Sequence, residues 1–78
     1  MSSSREELDN FMYNVAWLRR TRGISKREMA KRLGIGGKTL DMMEQGRVPP
    51  RLSASVIFAA GRQFGVDRCA LLSRRLGE

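Results

Sequence analysis

Ser25-Lys26-Arg27-Glu28-Met29-Ala30-Lys31-Arg32-Leu33-Gly34-Ile35-Gly36-Gly37-Lys38-Thr39-Leu40-Asp41-Met42-Met43-Glu44-Gln45-Gly46 is the stretch on which the fold turns. Ser25 with Glu28 is a capping box, in which hydroxyl and carboxylate each take an N–H that the first turn of a helix leaves without a partner. Met29, Ala30 and Leu33 then share a face, which predicts a short helix over 26–33. Gly34 supplies the left-handed backbone that lets a helix stop and turn sharply. Ile35 plugs the turn. A second helix opens at Gly36 or Gly37, buries Leu40 and Met43, and ends at Gly46. Ala30 is the small residue that the crossing of two such helices requires. Two short helices joined by a glycine-containing turn form the geometry that projects the second helix into a DNA major groove. Residues 25–46 therefore read as a helix-turn-helix, with Ala30 and Gly34 in structural roles.

Upstream, Ser4 with Glu7 is another capping box. Leu8, Phe11, Met12, Val15 and Leu18 form one apolar stripe at helical spacing, with Trp17 at its edge. Arg19, Arg20 and Arg22 suit the negative end of a helix dipole before Gly23. A first helix over about 5–22 follows, with a start nearer Asp9 as the alternative. Downstream, Arg47-Val48-Pro49-Pro50 is a loop, because proline cannot donate inside a helix. Ser53 can cap a fourth helix in which Ile57, Ala60, Gly61 and Phe64 share a face, and Gly65 closes it. Asp67 can cap a short fifth helix with Leu71 and Leu72 inward, frayed from about Arg75. No stretch alternates apolar and polar residues long enough for a strand. The expectation is an all-α, compact five-helix domain spanning 1–78, with its core over about 5–75.

Seventy-eight residues bound this to one domain with a small core. The single cysteine, Cys69, excludes an internal disulfide, and with no histidine a Cys/His zinc site is excluded too. No apolar run approaches the roughly 20 residues of a membrane span, and the polar start Met1-Ser2-Ser3-Ser4-Arg5-Glu6-Glu7 is unlike a signal peptide. The reading is a cytoplasmic protein with no metal, no cofactor, no membrane association and no enzymatic activity. The net charge is +7. All of that excess lies between Arg19 and Arg51, where ten basic residues meet only Glu28, Asp41 and Glu44; the remainder of the chain balances. A concentrated basic block attracts a polyanion, because neutralising phosphates releases condensed counterions. It coincides with the helix-turn-helix and its flanks.

At this point the sequence resembles the Cro/lambda-repressor type of helix-turn-helix, the xenobiotic-response-element family of bacterial and phage regulators. Val15-Ala16-Trp17-Leu18-Arg19 is similar to the family's first helix and Ile24-Ser25-Lys26-Arg27-Glu28-Met29-Ala30 to its second. Leu33-Gly34-Ile35 is similar to its turn, and Thr39-Leu40 with Glu44-Gln45-Gly46 to its recognition helix and the end of that helix. A proline loop and a closing Phe64-Gly65-Val66 complete a likeness over roughly residues 11–73. The resemblance implies five helices, operator binding as a dimer on paired half-sites, and a partly buried pair between Arg19 and Glu44. Two departures stand out. Lys26 occupies the place of a glutamine that braces a phosphate, and Gly36-Gly37 replace polar side chains at the start of the recognition helix.

The expected function is sequence-specific transcriptional regulation, most simply repression, with the helix over 37–45 in the major groove of an operator. The expected base contacts are Lys38, Asp41, Met42 and Gln45. Lys38 can donate to guanine, Met42 can pack on a thymine methyl, and Asp41 can accept from a cytosine amino group. The expected phosphate contacts are Lys26, Arg27, Gly36, Gly37, Thr39, Arg47 and Arg51. The expected partners are double-stranded DNA and a second copy of the chain, which would use spare apolar residues such as Val56, Phe58, Leu72 or Leu76. Two rival readings keep the fold: an antitoxin that binds a toxin and autoregulates its operon, and a protein-binding adaptor that has lost base readout.

Overall fold

The computed structural model describes residues 4–50 and 52–78. Five helices follow one another: α1 (Ser4–Thr21), α2 (Lys26–Leu33), α3 (Gly37–Glu44), α4 (Ala54–Phe64) and α5 (Arg68–Ser73). There is no strand among the described residues. The boundaries follow local chemistry. Ser25 sits in extended backbone and its Oγ accepts from the Glu28 N–H at 3.1 Å, as an N-cap does. Gly34 adopts φ 71°, and the N–H groups of Gly34 and Ile35 turn back onto the carbonyls of Lys31 and Ala30, which closes α2 in a Schellman turn. Asp67 caps α5 by accepting from the Cys69 N–H at 2.9 Å. Ser53 precedes α4 without making that bond; its Oγ pairs with Ser55 Oγ at 2.7 Å instead. Ser4 is the first residue of α1, which excludes the alternative start near Asp9.

One core joins the five helices. Phe11, Met12, Val15 and Leu18 of α1 meet Met29, Ala30 and Leu33 of α2, Leu40 and Met43 of α3, four residues of α4, and Leu71 of α5. Helix α1 packs against α3, α4 and α5, while α2 lies between α3 and α4. Ile35 is half-buried in the turn, and Trp17 packs at the edge of the core. The buried face of α4 is Val56, Ala59, Ala60 and Phe64, with Ile57 only half-buried. Val56 is therefore not a spare apolar residue for a second copy, as the sequence suggested. Leu72 and Leu76 also pack against the core. Phe58, 45% exposed, is what remains, and Arg68 stacks over its ring at 4.1 Å. Gly61 allows a close approach: a Cβ there would stand 3.0 Å from the Val66 carbonyl oxygen.

The C-terminal tail does not fray from Arg75. Asn14, fully buried in α1, donates through Nδ2 to the carbonyls of Leu71 and Arg74, and its Oδ1 accepts from the Leu76 N–H, each at 2.8 Å. Asn10 Nδ2 donates to the Leu72 carbonyl at 2.8 Å. Gly77 then lies so close to Trp17 and Tyr13 that a Cβ would meet the indole at 2.5 Å, and Arg75 stacks over Tyr13. Two asparagines thus replace the water that the end of a six-residue helix would otherwise need, while Leu71, fully buried, adds roughly 1.5–3 kcal/mol of apolar burial.

Candidate nucleic-acid interface

Helix α3 is held from behind and open in front. Leu40 and Met43 anchor it in the core. Arg19 and Glu44 clamp its last turn to α1: Arg19 Nε donates to Glu44 Oε2 at 2.6 Å and Nη2 to Oε1 at 3.0 Å, a bidentate pair. Arg19 Nη1 also donates to the Ile24 carbonyl at 3.2 Å, which ties in the entry to α2. The pair is largely buried, with side-chain exposures of 18% and 11%. The hydrogen bonds that Arg19 donates to the Glu44 carboxylate hold its guanidinium above its ordinary pKa, against the opposing effect of burial. This is the arrangement the family resemblance implies for Arg19 and Glu44.

The outer face of α3 carries the side chains that sequence reasoning placed at the bases. Lys38 and Gln45 are exposed, and Asp41, Met42 and Thr39 are half-buried. Gly36 and Gly37 open the helix without a side-chain cap. Neither has positive φ, and a Cβ on either would meet nothing within 4 Å. The fold therefore does not require glycine at these two positions. Gly37, with no side chain, is one wall of an open groove of about 420 Å³ between α2 and α3, lined also by Lys26, Arg27, Ala30, Lys31, Ile35 and Asp41.

Charges around this groove are unevenly paired. Each acidic residue of the basic block has a cation: Glu44 has Arg19, Asp41 has Lys26 at 3.1 Å, and Glu28 has Arg32 at 3.8 Å. Among the described residues, Arg27, Lys31, Lys38 and Arg47 form no ion pair, and all four are exposed. Lys26, expected at a phosphate, thus shares its charge with Asp41. Arg51 lies outside the described residues. Lys31 was not singled out, although it follows Arg27 by one helical turn and so shares its face; that spacing was the available signal. Arg5 was also missed. Its Nη2 donates to the Gly46 carbonyl at 3.3 Å, which brings the start of α1 beside the end of α3. That contact spans 41 residues and has no local signature.

A capped helix, a left-handed glycine turn and a second helix with an anchored inner face and a polar outer face define a helix-turn-helix protein. The description "Helix-turn-helix domain" matches residues 15–72, well over half of the chain. The chain belongs to this family, in its xenobiotic-response-element or Cro-like type. No curated protein matches the chain, and no solved structure does. No helix among the described residues is long and apolar enough to cross a membrane.

Proposed function

We propose that this protein is a sequence-specific DNA-binding regulator that lays α3 in the major groove of an operator and represses by occupying it. The observation that carries this reading is the set of unpaired, exposed cations Arg27, Lys31, Lys38 and Arg47 around an outward-facing α3 in a helix-turn-helix. Coulombic attraction to the phosphates supplies most of the affinity, and base contacts along α3 supply the choice of sequence. Lys26, Arg27, Arg47, Arg51 and the backbone at Gly36, Gly37 and Thr39 serve the phosphates; Lys38, Asp41, Met42 and Gln45 serve the bases. The competing adaptor reading draws support from one observation: Gly36 and Gly37 carry no side chains where the fold would accept them.

Fluorescence anisotropy with labelled duplexes across a salt series tests the proposal. Log affinity should fall linearly with log salt, by about −0.9 per neutralised phosphate. Arg47→Ala should weaken binding to every duplex alike and flatten that slope by roughly one unit. Absence of salt-sensitive duplex binding would leave the adaptor reading in its place.

A further inference from the structure

The ion pair between Lys26 and Asp41 joins the first turn of α2 to the middle of α3. Both side chains are about half exposed, at 57% and 49%. Lys26 Nζ donates to Asp41 Oδ1 at 3.1 Å, and Oδ2 accepts from no described residue. Gly37 stands one turn before Asp41 on α3, on the same face, and lines the same groove. No side chain at position 37 lies across the approach to the pair.

From this geometry, and resting on the DNA-binding reading above, we infer that Asp41 selects a cytosine in each half-site and that Lys26 is the residue that positions it. A bare carboxylate on the face of a helix entering the groove is repelled by flanking phosphates. Lys26 compensates that charge on the side of α2 and holds Oδ1. Oδ2 remains as an acceptor without a partner. Among the four bases, guanine presents two acceptors in the major groove and thymine an acceptor and a methyl. Adenine sets its amino donor beside an acceptor. Cytosine alone offers an amino donor with no acceptor of its own next to it, so an anionic acceptor is matched to cytosine. In water the exposed pair contributes little; once the interface excludes solvent, the attraction between its members strengthens. The coupling therefore registers in base choice rather than in the stability of the free protein.

Selection of bound sequences from random duplexes, run in parallel on the wild type, Asp41→Asn, Lys26→Met and Lys31→Ala, tests the inference. The wild type should enrich one cytosine per half-site by about tenfold over other bases. Asp41→Asn should abolish that enrichment. Lys26→Met should reduce it several-fold, whereas Lys31→Ala should weaken all sequences alike and leave it intact. All four proteins should melt within a degree or two of one another, because none of the substituted side chains is buried and an exposed ion pair contributes little. If the selected sites contain no cytosine that depends on Asp41, the inference is wrong. It is equally wrong if Lys26→Met lowers affinity uniformly with the preference unchanged, since Lys26 is then a phosphate contact alone. Failure of the wild type to bind any duplex at low salt would overturn the DNA-binding reading itself, a result distinct from binding without a cytosine preference.

Discussion

Asn14 shows how one polar side chain can close a small fold. Its amide satisfies two carbonyls and one N–H of the C-terminal segment, across sequence separations of 57 to 62 residues. Asn14→Leu keeps the branched shape and removes all three bonds, leaving backbone groups unpaired at a buried site. It should cost about 2–4 kcal/mol, read as a lower urea midpoint. An unchanged midpoint would mean that water replaces the amide. Glu44→Gln should cost roughly 1–3 kcal/mol, because it leaves the Arg19 guanidinium largely buried with a weaker partner. Since the Arg19 pKa is raised in the fold, its contribution is complete below the unfolded-state value and is lost only as pH rises through the folded one. Between pH 5 and 9 this pair should therefore add no slope through Arg19 to the stability curve. Asn14 was illegible in the sequence because an asparagine within an apolar stripe reads as the stripe's edge until its distant partners are known. The Arg19–Glu44 pair, 25 residues apart, was legible only through family resemblance; no local spacing identifies it.

The helix ends that were legible have local causes. Ser25 and Asp67 cap, and Gly34 and Gly65 adopt the left-handed conformation that stops α2 and α4. The buried face of α4 was not. Val56, Ile57, Phe58, Ala59 and Ala60 are consecutive apolar residues, so periodicity cannot fix the phase. The packing of α2, α1 and α5 around α4 does, and it buries Val56 in preference to Ile57. The glycines of α3 and α4 separate two physical roles. Gly61→Ala should not realise the roughly 1 kcal/mol that alanine gains over glycine inside a helix, since its Cβ would stand 3.0 Å from the Val66 carbonyl oxygen and the backbone there must shift. Gly37→Ala should leave thermal stability unchanged or raise it by a few tenths of a kcal/mol, because alanine favours the helix and its Cβ meets open space. Parallel thermal melts check both; destabilisation by Gly37→Ala would show that the start of α3 is packed more tightly than the open groove indicates.

The fold measures 35 × 25 × 20 Å, about the length of one helical turn of DNA, so on the proposed operator one copy would cover one half-site. Two copies on half-sites about 34–36 Å apart are expected, and sedimentation of the protein on a two-site duplex should give a two-to-one complex. A one-to-one complex would contradict this. The apolar contact available to such a dimer is smaller than the sequence suggested: Val56 belongs to the core, and among the described residues Phe58 is the large apolar side chain left exposed. The concentration of charge between Arg19 and Arg51 was plain in the sequence, but which cations stay unpaired depends on how α2 and α3 are set side by side. The central claim is that α3 enters the major groove. Methylation protection on a duplex recovered by selection tests it most directly, because guanine N7 lies in the major groove and adenine N3 in the minor. The account predicts protection of guanine N7 within each half-site with adenine N3 still reactive; protection of adenine N3 alone, or of neither, would contradict it.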